Sequence, residues 1–443
     1  MNKKTKFVTA DEAVKAVRSG DEIVLANFCA EPHHLPMSLV ERARELKGCR
    51  IFHLTAFGPF KKKMADPGME DHLRIATPFC GRRKDVRRLL QEGRADFYAA
   101  SFGRYPELLR TGDFKSDVLM LTVSPPDDGG YCSLGVSVDY IFAVLERPCR
   151  LVLAEINPNM PVTYGRSFIH MSDIDYAVET KDPVFELEQF EVTDIERRIG
   201  ENVARLIENG STIQIGYGAI SEAAILFMSD KKDLGMHGEM VPEHVRSLVN
   251  SGVLNNSKKS MHKGKIVCTF HGGTRELYNW LNHNAIIEMQ PVDYTNNPRI
   301  IAQQSKMVAI NAALQVDLFG NIYVDVLGLN DQYTGSGGQM DFALGCAISD
   351  DSKFVTTLSS TTSDLKYSRI VFHPSREENP FAPQLALVPR YLADYVVTEF
   401  GIAHLKGKTN NERCRSLINI AHPNFRADLR EQARKAGLLY GKF

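Results

Sequence analysis

The chain has 443 residues, 43% of them apolar and 24% charged, with 53 basic against 54 acidic side chains and a net charge of −1. That length predicts two domains, and the charge balance leaves no electrostatic footprint for nucleic acid. The eight cysteines are scattered with no Cys-x-x-Cys, which excludes a zinc cluster or a disulfide framework. No apolar run reaches the ~18–20 residues of a membrane span, and no apolar stretch follows the first lysines as a secretory leader would require. A soluble, cytoplasmic protein with neither nucleic acid nor membrane as partner is expected.

In chain order, helices are predicted near residues 10–19, 36–46, 84–92, 105–111 and 138–146. Between them, runs of Val, Ile and Leu predict strands near 22–26, 50–54, 96–100, 118–123, 150–155 and 175–178. A break near 185–193 leads into a helix entered at Thr193 and Asp194, and strands recur near 212–215, 265–268, 308–313, 353–357, 369–372 and 395–398. Strands alternating with helices imply open α/β sheets.

The two halves repeat each other. Residues 14–28 and 204–218 share a pattern of amphipathic helix, glycine stop and alternating strand, with Gly20 and Gly210 190 residues apart. Asp127 with Asp317 and Gly130 with Gly320 repeat the same offset, and 175–180 matches 394–399 at an offset of 219. An insertion in the second copy between about 330 and 390 accounts for the longer spacing. The expectation is two tandem, internally duplicated α/β domains, 1–188 and 189–443. Ligands of open α/β sheets bind beyond the carboxyl ends of the strands, which predicts an active-site cleft between the copies.

Three stretches of the second half carry candidate chemistry. Gly216, Tyr217, Gly218, Ala219 and Ile220 form a small-residue turn from a strand into a helix, which lets backbone N–H groups approach an anion. It lacks the glycines of a dinucleotide fingerprint and the Gly-Lys of a Walker loop, and a plain tight turn is the rival reading. Glu239 is set in a glycine- and methionine-rich run with Gly235, Met236, His237, Gly238 and Met240, where desolvation raises a carboxylate's reactivity. Taken alone it reads as a solvated loop residue. Gly335, Ser336, Gly337 and Gly338 make a backbone able to wrap a ligand or offer an oxyanion hole. His33 and His34 have no third ligand at metal spacing and read as ordinary core or surface histidines.

Together with Asn311 to Gly320, Val123 to Val136 and Glu155 to Gly165, these runs resemble the acetyl-CoA hydrolase/transferase family along nearly the whole chain. The resemblance implies transfer of CoA from an acyl-CoA to a short carboxylic acid, with Glu239 as the covalent nucleophile. It implies that Gly216–Ile220 is the CoA loop, with Asn311, Gly337 and Lys366 along the CoA arm. Backbone N–H groups at Gly337 and Gly338, or on the 26–32 loop, would stabilise the oxyanion. No metal and no nicotinamide is implied, CoA being a substrate, and a homodimer or homotetramer is expected. A thioester hydrolase on the same scaffold and a non-catalytic CoA-binding module are the alternatives.

The departures from the family's wording all fall in the first half, at 26–32, 76–84 and 101–105. They leave 4-hydroxybutyrate, butyrate, acetate, succinate and itaconate open as the acid. The basic side chains there (Arg82, Arg83, Lys84 and Arg104) read first as a solvated face and second as partners of a dicarboxylate.

Overall fold

The structure, a computed structural model, describes residues 4–441 apart from 56, 82–83, 148, 329–330, 381 and 384. Strands Val118–Val123 and Leu151–Ile156 are buried at every position, the pattern of a sheet covered on both faces. They lie inside an eight-stranded sheet whose order is Lys6–Phe7, Tyr176–Glu179, Leu151–Ile156, Val118–Val123, Glu22–Leu25, Cys49–Phe52, Leu73–Thr77 and Ala95–Phe97. All of its neighbours are parallel.

A second sheet runs Gly235–Met236, Thr212–Ile215, Met307–Ala312, Lys353–Thr357, Tyr395–Thr398 and Gly401–His404. Only the last pair is antiparallel. Five strands therefore occur in the same order in both sheets. Tyr176–Glu179, Leu151–Ile156, Val118–Val123, Glu22–Leu25 and Cys49–Phe52 correspond to Tyr395–Thr398, Lys353–Thr357, Met307–Ala312, Thr212–Ile215 and Gly235–Met236. The repeat in the sequence is a repeat in topology.

The chain forms two compact units. One holds the residues up to Glu188 together with Glu239–Glu243 and Ile266–Asn296; the other holds Gln189–Gly238, His244–Lys265 and the residues from Asn297 onward. Residues 189–443 are thus not one continuous body, in contrast to the expected second domain. The reason is strand pairing: Met240–Val241 pairs with Phe270–His271, and Ile266–Cys268 with Ile287–Met289, all in the first unit. The His271 N–H donates to Val136 O at 2.7 Å and the Arg166 N–H to Met289 O at 2.8 Å, which anchors both pairs to first-half loops.

Other expectations shift by smaller amounts. The helix expected over 10–19 is only Ala10–Val14, capped by Thr9 and Glu12. The strand near 265–268 belongs to the first unit, and the one near 369–372 is a two-residue strand in a separate small sheet. Leu73–Thr77 is an additional strand, its Arg74 paired with Asp96 at 2.8 Å. Arg82 and Arg83 lie outside the described residues. No helix among the described residues is long and apolar enough to cross a membrane.

Candidate active site

Glu239 enters the first unit one residue before the strand Met240–Val241. Its carbonyl oxygen accepts from the N–H groups of Thr269 at 2.8 Å and Phe270 at 3.0 Å, so its backbone is fixed by the neighbouring strand. Its side chain is partly exposed while Met240 and Val241 are buried. Oε1 accepts from Asn296 Nδ2 at 2.6 Å. Asn296 caps the short helix Val292–Thr295, is buried, and accepts from Thr295 Oγ1 at 3.0 Å. Pinning Oε1 on a held amide fixes the plane of the carboxylate, and with it the direction of Oε2.

A buried acid supports the same segment. Asp139 is fully buried; Oδ2 accepts from Asn27 Nδ2 at 2.7 Å and from Ser137 Oγ, and Oδ1 from Thr269 Oγ1 at 3.2 Å. Burial pushes the Asp139 carboxyl up to about 7, opposed by those three hydrogen bonds. Its carbonyl oxygen accepts from the Val292 N–H at 3.0 Å, which ties the helix ending at Asn296 to the same post. Asp139 therefore braces both the strand that holds Glu239 and the helix that holds its amide partner.

The 26–34 segment is clamped by two more buried carboxylates. Glu155 accepts from the N–H groups of His33, His34 and Leu35 at 2.9, 2.7 and 2.8 Å. Glu31 accepts from the N–H groups of Phe57 and Gly58 at 2.6 and 2.8 Å. Two of the basic groups considered for a dicarboxylate have other surroundings. Arg104 pairs with Glu107 at 2.9 Å with 60% of its side chain exposed, and Lys84 is exposed.

The remaining candidate residues belong to the second unit. Gly218 has φ +148°, a conformation that L side chains rarely adopt, and caps the helix Ala219–Leu226; a Cβ on Gly216 would meet open space. The Tyr217 ring lies 4.6 Å from that of Phe190. Asn311 is the penultimate residue of the adjacent strand, and its Nδ2 donates to Gln214 Oε1 at 3.0 Å on the strand that leads into the 216–220 turn. Gly337, at φ +52°, and Gly338 precede the helix Gln339–Ala347. Lys366 lines a cavity of about 190 Å³ together with Gln315, His373, Phe425 and Asp428, and it pairs with Asp364 at 3.5 Å. His237 is fully buried, its N–H donating to Ile213 O at 3.1 Å.

Against this geometry, family profiles match the chain twice: an acetyl-CoA hydrolase/transferase N-terminal domain over residues 2–187 and the C-terminal domain over 273–433. The chain is 44% identical to the 4-hydroxybutyrate coenzyme A transferase of Clostridium kluyveri, over 98% of each protein. The chain belongs to the acetyl-CoA hydrolase/transferase family. A second relative, the succinyl-CoA:cyclohexane-1-carboxylate CoA transferase of Geobacter metallireducens, is 37% identical over 97% of this chain and 95% of its own. The crystal structure of RipA from Yersinia pestis superposes with a TM-score of 0.90 at 31% identity, covering 98% of both chains.

This member of the acetyl-CoA hydrolase/transferase family holds its carboxylate with residues that sequence reasoning does not mark. Asn296, Asp139, Glu31 and Glu155 are absent from the sequence-derived candidates. A single Asn or Asp far along the chain has no local spacing to betray it. The one pointer was Asn27, inside the unusual 26–32 segment.

Proposed function

We propose that the protein is an acyl-CoA:carboxylate CoA-transferase that works through a glutamyl-CoA thioester on Glu239. The observation that carries this reading is the partly exposed Glu239, whose Oε1 accepts from Asn296 Nδ2 at 2.6 Å. In the first step Oε2 adds to the thioester carbonyl and CoA thiolate leaves, giving a mixed anhydride. The thiolate then adds to Cδ of Glu239. The oxygen that becomes negative is Oε1, already in reach of the Asn296 amide, which donates to the developing oxyanion. Collapse expels the donor acid and leaves the thioester. The acceptor carboxylate runs the same steps in reverse, so each bond broken is matched by one formed.

Gly216, Tyr217, Gly218, Ala219 and Ile220 bind CoA as a substrate, with Asn311, Gly337, Gly338 and Lys366 along its length. The support is a strand-to-helix turn with open space over Gly216, joined to Asn311 through Gln214. The named relatives point to a short carboxylic acid such as 4-hydroxybutyrate as partner. The same reading has the enzyme act in the cytoplasm as a homodimer or homotetramer.

Incubation with an acyl-CoA and no acceptor tests the reading. A CoA adduct on Glu239, and borohydride inactivation only after such incubation, are expected. Steady release of free CoA without any acceptor acid would instead make the protein a hydrolase. An adduct elsewhere would remove Glu239.

A further inference from the structure

Phe28 has φ +58°, a left-handed conformation that is a genuine outlier for a bulky side chain. Its backbone is held there by hydrogen bonds on both sides: Ala30 N–H to Asn27 O at 3.1 Å, and Glu31 N–H to Phe28 O at 3.2 Å. Its neighbours Asn27, Cys29 and Ala30 are buried, yet Phe28 itself is only partly so. The chain is strained in order to present one ring.

That ring stands beside the Glu239 segment. It lies 5.0 Å from the ring of Phe270, whose N–H donates to Glu239 O, and 5.3 Å from that of Phe57. Phe57 in turn lies 5.9 Å from Phe185. Phe57, Phe185 and Glu239 share the partial exposure of Phe28. The place the ring occupies exists only because residue 272 is glycine. A Cβ on Gly272 would come within 2.2 Å of Phe28 Cε1 and 2.6 Å of Leu187 Cδ1. Phe28 and Gly272 are a matched large and small pair.

The charged groups along this wall are the wrong sign for a second carboxylate. Glu31 holds the N–H groups of Phe57 and Gly58, and Asp139 holds Asn27 and Thr269. Burying another anion against the Glu31 carboxylate, with Arg104 turned outward to Glu107, is costly. Aromatic faces favour an apolar chain.

The geometry points to Phe28 and Gly272 as the specificity-determining pair of the acid site, selecting monocarboxylic acids whose tail carries no charge. This rests on the transferase reading above and narrows its substrate class. Dicarboxylates are rejected, and the size of the accepted tail is set by the volume that Phe28 leaves.

The test is an acid panel (butyrate, valerate, cyclohexanecarboxylate, succinate and itaconate) with acetyl-CoA and with butyryl-CoA as donors. The wild-type enzyme should show kcat/KM at least ~100-fold higher for the best monocarboxylate than for either dicarboxylate. Phe28→Ala should lower KM for cyclohexanecarboxylate ~10-fold or more and leave KM for acetyl-CoA, whose acyl tail is a single methyl, nearly unchanged. Gly272→Met should depress activity with every acid, and the double variant Phe28→Ala, Gly272→Met should restore it, since the two changes compensate in volume. Wild-type preference for succinate or itaconate would overturn the inference while leaving the transferase reading intact. An unchanged acid profile in Phe28→Ala, or no rescue in a folded double variant, would also overturn it. Inactivity of the wild type toward every donor and acid would bring down both. The wild-type profile needs no variant to fold.

Discussion

The two units share a five-strand core in one order but prepare opposite kinds of surface. In the first, polar groups are buried and answered: Asp139, Glu155 and Glu31 each accept two or more hydrogen bonds from the chain around them. In the second, Gly216 and Gly218 leave backbone without side chains just beyond the carboxyl end of the strand Thr212–Ile215. The first unit holds the Glu239 carboxylate by a hydrogen bond from Asn296; the second carries glycines with open space around them at a strand-to-helix turn. A duplicated scaffold is thus divided by what is built on its loops, while its strands stay alike.

If that division is right, damage to the first unit falls on turnover and damage to the second on binding. Glu239→Ala removes the nucleophile, and kcat should fall by ~10⁴-fold or more with KM for acyl-CoA little changed. Asn296→Ala removes one oxyanion donor; a loss of ~10²–10³-fold in kcat is expected, again with KM nearly constant. A rise in KM alone would place Asn296 in substrate binding and blur the contrast. Gly218→Val forces a β-branched residue into φ +148° at the second unit's turn. It should raise KM for acyl-CoA by ~10–100-fold and leave KM for the acid unaltered. Equal rises in both would break the comparison.

The smallest effect is on stability. Burial raises the Asp139 carboxyl from 3.8 to about 7, so the folded protein favours the protonated form. That contribution is complete below about pH 4 and is lost as pH rises through about 7. Asp139→Asn stays neutral throughout. Between pH 4 and pH 7 the wild-type Tm should fall by a few degrees relative to that of the variant, read by differential scanning calorimetry. Parallel Tm curves would show that Asp139 is ionised in the folded protein.

The sequence made the central strands plain because Val118–Val123 and Leu151–Ile156 are continuous apolar runs, which only strands buried on both faces need. Leu73–Thr77 escaped because Arg74 interrupts a short run, and the reason for Arg74 is Asp96 on the next strand. The site was half legible. Glu239 and the glycine turns lie in short unusual runs, whereas Asn296 acts on Glu239 from 57 residues away and is marked only by contact. Two-residue strands such as Met240–Val241 carry no period to read, so the exchange of segments between the units left no trace in the pattern.

That exchange bears on how the protein is made. The ribosome has delivered all eight strands of the first sheet by Glu179, yet Glu239–Glu243 and Ile266–Asn296 are still to come. At ~5–20 residues per second, the nascent first unit waits several seconds with the places of four short strands empty. Its buried Asp139 lacks Thr269 for that interval, and Glu239 has not yet been added to the chain. A fragment ending at Glu188 would stop at this waiting stage, and chain cleavage between 243 and 266 would strand the last piece of the first unit on the far side of the cut.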